Sequence, residues 1–233
     1  KHVRKKGMKR VSLFVPNNAW GRSSEAAFIA SVKRHGGPLY QTHWYNWGDT
    51  EFSERIGAAL HGGAEGIVLV ANEAEGALFS QQMAANPPAR RLPIVSHWGI
   101  AGGDFAAAVG PALNELDLTV VQTFSFDKVS ADRRRAVDAG VRRLYGHGIE
   151  HLPAQVGFAH AYDLTYLLAR AINRAGKADR AAIRAALETT GTHDGLVRRY
   201  NRPFSANDHE ALDPNQIFMA RFSRDGSLKP AKD

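Results

Sequence analysis

The chain has 233 residues, 44% of them hydrophobic, which suits one large domain or two small ones. It holds no cysteine, so a disulfide framework, a thiolate metal site and a cysteine nucleophile are excluded. The formal net charge is +7, but six of the 30 Lys and Arg fall in residues 1–10, beside no acid, leaving 24 basic against 23 acidic side chains in the other 223 residues. A nucleic-acid surface spreads its charge over a folded face. The excess is therefore read as a solvated helix end, and no nucleic acid is expected as a partner.

No apolar run nears the ~20 residues of a membrane helix. The opening KHVRKKGMKR lacks the apolar core and cleavage site of a leader peptide. Val3 to Lys6 reads as the last turn of a helix, with cations suited to its negative end and Gly7 as a left-handed terminator. A chain that opens this way reads as cut from a longer one.

In chain order, Val11–Val15 is an apolar strand closed by Pro16-Asn17-Asn18. A helix is expected from about Ser23, with Ala27, Phe28, Ala30, Ser31 and Val32 inward, ended by Gly36-Gly37-Pro38. Leu39–Tyr45 follows as a strand. Asp49 or Thr50 is expected to cap a helix that stops at Gly62-Gly63. Ile67–Val70, Leu92–Val95 and Leu118–Phe124 are further strands, separated by helices over Glu73–Ala85 and Phe105–Leu113. Strands alternating with helices define parallel βαβ units, and strands without polar alternation are covered on both faces. Residues 8–124 are thus expected to form a doubly wound α/β layer.

Beyond it, helices are expected around 133–145, 156–174 and 180–188. The middle one has apolar residues most of the way round, so burial on more than one side is expected, although nothing else in the sequence supplies a second layer. Gly195–Tyr200 and Ile217–Phe222 read as extended, with a turn at Asp225-Gly226.

Ligands of open parallel sheets bind beyond the carboxyl ends of the strands. That rule selects Asn18 and Trp20 after strand one, Trp44 to Trp47 around the end of strand two, Ala71, Asn72 and Glu73 after strand three, and His97 and Trp98 after strand four. All four tryptophans fall in these stretches, which are read as loops. Indoles with a few polar neighbours suit an organic solute. Trp20 and Trp98 are read as ligand contacts, while Trp44 and Trp47 are read equally well as loop packing. Glu73 serves as well as a first-turn acid of its helix. Motifs of nucleotide, hydrolase and metalloprotease sites are absent. His147 and His151 are four apart, but the flanking glycines argue against a helix, and solvated loop histidines are the better reading. No catalysis, metal or cofactor is expected.

At these loops the chain resembles the solute-binding proteins of ABC transporters, in the branched-chain amino-acid binding group. The resemblance rests on KRVSLFVPNNAWGRS, DTEFS, IVLV with ANEAEG, LPIVSHWG and VVQTFSF, and then on AYDLTYLLARAINRAG, DRAAIRAALE and DGLVRRY. It implies a type 1 periplasmic-binding-protein fold, two-lobed and closing around a ligand. Residues 8–124 would be the second lobe, 125–195 the hinge crossing and helices of an incomplete first lobe, and 196–233 segments returning toward the hinge. The missing layer would come from an absent first-lobe segment or another copy of the chain. The partners implied are a small-molecule ligand and a membrane permease, in the periplasm or outside the cell. By position, Trp20 replaces an aromatic that is commonly tyrosine, and Trp98 replaces an acid that meets the ligand amine. Without that acid an amino acid loses a charge partner, so an aromatic or less cationic solute is implied. A sensing domain on the same fold is the alternative.

Overall fold

The computed structural model describes residues 2–231. Lys1 of the basic run and the last two residues of the C-terminal segment lie outside the described residues. The chain divides into two compact units: residues up to Val121 together with those from Met219 onward, and Gln122–Phe218.

The first unit opens on a short helix, α1 (His2–Lys5), closed by Gly7 at φ 72° as its sequence predicts. Strand β1 (Arg10–Pro16) lies between β2 (Leu39–Tyr45) and β3 (Gly66–Leu69), and β4 (Ile94–Ser96) and β5 (Leu118–Gln122) follow, all parallel. Helices α2 (Ala19–His35), α3 (Ser53–His61), α4 (Glu73–Ala84) and α5 (Phe105–Val109) connect them. Successive strand residues face opposite sides of the sheet, which explains the unbroken apolar runs. Phe14, Ile67, Leu69, Ile94 and Val120 join Phe79, Met83 and Phe105 in one core. Leu13, Val15 and Val70 form a smaller core on which Trp20, Phe28 and Trp44 pack.

Three local expectations are corrected. Helix α2 begins at Ala19, four residues early, because the Asn18 carboxamide accepts from Gly21 N–H at 3.0 Å and caps it. Gly21 in its first turn serves close packing, since a β-carbon there would stand 1.8 Å from the Pro16 carbonyl oxygen. The partly buried line of α2 includes Phe28, Ile29 and Val32, while Ala27, Ala30 and Ser31 are exposed. Helix α3 starts at Ser53 with Phe52 as its uncapped N-terminal residue. Asp49 instead accepts from Asn46 N–H and pairs with Arg55 at 2.9 Å.

In the second unit, α6 (Ala131–Tyr145), α7 (Gln155–Ala175) and α8 (Arg180–Glu188) are followed by the antiparallel pair β6 (His193–Asp194) and β7 (Arg199–Tyr200). Its core gathers Phe124, Phe126, Val137, Val141, Ile149, Val156, Ala159 and Leu196. The expectation for the middle helix is corrected as well. Helix α7 buries one line, Val156, Ala159, Asp163, Leu167 and Ala171, and leaves Leu164, Tyr166, Leu168 and Ile172 exposed. Its apolar circumference exceeds what the described residues cover. Back in the first unit, β8 (Phe218–Phe222) and the antiparallel β9 (Leu228–Pro230) complete the sheet beside β5.

Candidate functional site

The strand order β2-β1-β3-β4-β5 reverses direction between β1 and β3, and a crevice opens at the carboxyl ends beside such a point. The backbone there is tied strand to strand. Asn17 N–H donates to the Tyr45 carbonyl at 2.6 Å. The buried Tyr45 hydroxyl donates to the Val70 carbonyl at 2.8 Å. Burial, and then the charge of Glu75, pushes that hydroxyl's pKa up, so it stays a donor. His97 N–H and Ser96 Oγ both donate to the Leu69 carbonyl, at 3.0 and 3.1 Å. The residue after β4 is thereby fixed against the end of β3.

On this frame the structure brings three predicted residues together. Trp20 lies in the first turn of α2 and not in a loop, half-buried against the smaller core. Its ring stands edge-on to the His97 imidazole, with centroids 5.4 Å apart. Trp98, 43% exposed, lies 5.0 Å from the same imidazole on a 3-10 turn, Trp98–Ala101. His97 caps that turn, its Nδ1 accepting from Gly99 N–H at 3.1 Å. Burial lowers the pKa of this imidazole, which favours its neutral form.

Ala71, Asn72 and Glu73 border the cluster. Gly99 approaches so closely that a β-carbon there would stand 2.5 Å from the Ala71 carbonyl oxygen and 3.2 Å from Asn72 Oδ1. Asn72 is the N-cap of α4 without a side-chain capping bond, and Glu73 is the first helical residue. Both are exposed, and the Glu73 side chain runs beside Gly103.

The other candidates lie differently. The Asn18 carboxamide is committed to capping α2. Trp44 is part of β2, not of a loop, and the Arg22 guanidinium lies 5.9 Å from its ring centre. Trp47 is 61% exposed, in the turn closed by Asp49 N–H to the Asn46 carbonyl. Glu75, an acid that the sequence places with Glu73 near the end of the third strand, accepts from Gly48 N–H at 3.2 Å and ties that turn to α4. Its place in the first turn of α4 gives no sign of this reach. His147 and His151 stand with ring centres 6.0 Å apart, and no group of three metal-ligating side chains occurs among the described residues. No helix among them is long and apolar enough to cross a membrane.

A parallel sheet of this order with helices between its strands defines an α/β fold, and that fold is the one of the type 1 periplasmic binding proteins. The chain belongs to the periplasmic binding protein family, whose model matches residues 1–227. Among solved structures, a type 1 periplasmic binding protein from Bordetella pertussis superposes with a TM-score of 0.81 at 20% identity, over 97% of this chain and 62% of its own. The leucine-binding protein LivK from Thermotoga maritima gives 0.75 at 21% identity, over 99% and 61%. An ABC-transporter solute-binding protein from R. palustris in complex with benzoate gives 0.79 at 18% identity, over 98% and 59%. The chain therefore spans less than two thirds of the length of these neighbours. No curated protein matches it significantly.

Proposed function

We propose that this chain binds a small organic solute, without catalysis, for delivery to an ABC importer in the periplasm or outside the cell. The carrying observation is the cluster of Trp20, His97 and Trp98 at the carboxyl edge of the sheet, where an open α/β fold places its ligand. Family membership supports the reading. So do neighbours described as binding leucine and as holding benzoate. With Trp98 where related proteins are expected to carry an acid, the solute is an aromatic or amide-like compound before it is a simple amino acid. Asn72 and Glu73 supply polar contacts on the border, and Trp47 a contact at the rim.

The exposed apolar line of α7 belongs to the same reading. It would seat the polypeptide by which the neighbours exceed this chain, or a second copy of the chain. Mass spectrometry of small molecules released from the purified protein tests the proposal. A single stoichiometric solute that rebinds on titration is the expected result. Protein that carries nothing, and that binds nothing from a panel of amino acids and aromatic acids, would overturn it.

A further inference from the structure

We propose that His97 is the specificity-determining donor of this site, and that with Trp20 and Trp98 it selects a planar ligand bearing a carboxylate oxygen, an aromatic carboxylate, over the matching amine. The inference deepens the solute-binding reading and rests on it.

The chemistry follows from which atoms are already engaged. Nδ1 of His97 accepts from Gly99 N–H, so that nitrogen holds a lone pair and no proton. The proton of the ring therefore sits on Nε2, which can only donate. An indole nitrogen is likewise a donor and nothing else. Among the described residues no protein group accepts from Nε2 of His97 or from Nε1 of Trp20 or Trp98, and none of the three atoms belongs to the sealed, unpartnered set. Three N–H groups, on the His97 ring and on two indoles centred 5.4 and 5.0 Å from it, thus wait for acceptors that the protein does not supply.

A ligand that covers these rings removes them from water. If it carries an oxygen acceptor, the lost water bonds are replaced. If it carries an ammonium, donor faces donor, and the desolvated N–H groups go unpaired. That asymmetry discriminates more strongly than attraction alone. The rings also favour a flat partner, because the indole faces offer large contact areas at little cost in rotamer freedom. Glu73 is the bordering acid that would receive an ammonium instead, and its side chain runs beside Gly103.

Benzoate, benzamide and benzylamine, matched in shape, are the probes, titrated into the full chain and followed by calorimetry. Benzoate is expected to bind tightest and benzylamine weakest. His97→Phe should weaken benzoate by roughly tenfold to a hundredfold, the range of a hydrogen bond to a charged group, and leave benzylamine unmoved. His97→Gln, which restores an N–H donor, should recover much of the preference, with circular dichroism confirming that both variants fold. Benzylamine binding at least as well as benzoate, and losing affinity in Glu73→Gln, would overturn the inference. So would a His97→Phe effect equal on acid and amine. Failure of all three probes would overturn the aromatic-carboxylate assignment, while the solute-binding reading would still stand or fall by the co-purified molecule.

Discussion

Gly195 lies so close to Asp163 that a β-carbon on it would stand 2.5 Å from the carboxylate Oδ2, and 2.7 Å from the Tyr200 ring. Asp163 is fully buried on the inner line of α7. It accepts from Leu196 N–H at 2.5 Å, Val197 N–H at 2.8 Å and the Tyr200 hydroxyl at 3.0 Å. Burial, and then the neighbouring carboxylate, pushes the Tyr200 pKa up, which keeps its hydroxyl protonated and donating. One carboxylate thus fastens the stretch before β7 onto the long helix.

Removing that carboxylate strands three donors. Asp163→Ala should cost the second unit roughly 3–5 kcal/mol, because uncompensated buried donors lose their full desolvation energy. Gly195→Ala should destabilise through the collision alone. Urea unfolding followed by circular dichroism reads both. Midpoints equal to the parent's would show that the segment is held by something else.

Gly21→Ala is the corresponding change in the first unit. The added methyl carbon has to move away from the Pro16 carbonyl, carrying the start of α2 and Trp20 with it. A loss of about 1–3 kcal/mol is expected, as for overpacking, together with weakened solute binding. A thermal melt unchanged from the parent would mean that the helix start yields freely.

Trp20 and Trp98 should separate when each is truncated. Trp20 packs on Leu13, Val15 and Val70, so Trp20→Ala should lose on the order of 2–4 kcal/mol of stability, toward the lower side of a buried aromatic deletion. Trp98 is largely a surface ring, and Trp98→Ala should change stability by no more than about 0.5 kcal/mol. Both should weaken binding of the co-purified solute. Equal unfolding midpoints for the two variants would contradict the packing assigned to Trp20.

The sheet was legible because its signal is redundant. Ile67–Val70 is apolar throughout, Val11–Val15 is apolar but for Ser12, and glycine pairs mark the helix ends at 36–37 and 62–63. The carboxyl-edge rule then selected Trp20, His97 and Trp98 without any contact being known. The start of α2 was not legible, since residues 17–23 read as a loop until the Asn18 cap on Gly21 N–H is known. The role of Asp163 was hidden for a similar reason. A lone acid among the apolar residues of a helix gives no hint that its three partners lie 33 to 37 residues onward. The tautomer of His97 depends on a backbone N–H two residues away, which composition and spacing do not reveal.

Stability should also fall in mild acid, and His43 should account for part of the loss. Its ring is buried, stacked 4.7 Å from the Phe14 ring, and its Nε2 has no hydrogen-bond partner. Desolvation first, and then the charge of Arg55, lowers its pKa. A histidine whose folded pKa lies below its unfolded value binds fewer protons in the folded state. Above the unfolded value, near 6.5, the ring is neutral in both states and no proton uptake separates them. As the pH falls through that value the unfolded chain takes up a proton that the folded chain refuses, and stability declines. His2, His97 and His160 are lowered with desolvation as the first cause and act in the same direction. The lowered carboxylates, among them Asp117 and Asp194, lose their contributions only at more acid pH, near and below the usual carboxylate range of about 4. Between roughly pH 7.5 and pH 5 the histidines therefore dominate. His43→Phe keeps a ring against Phe14 and removes one titrating group. Urea midpoints measured for parent and variant across that window should diverge, the parent losing more as the pH drops. Parallel profiles would show that His43 takes up its proton as readily in the folded chain as in the unfolded one.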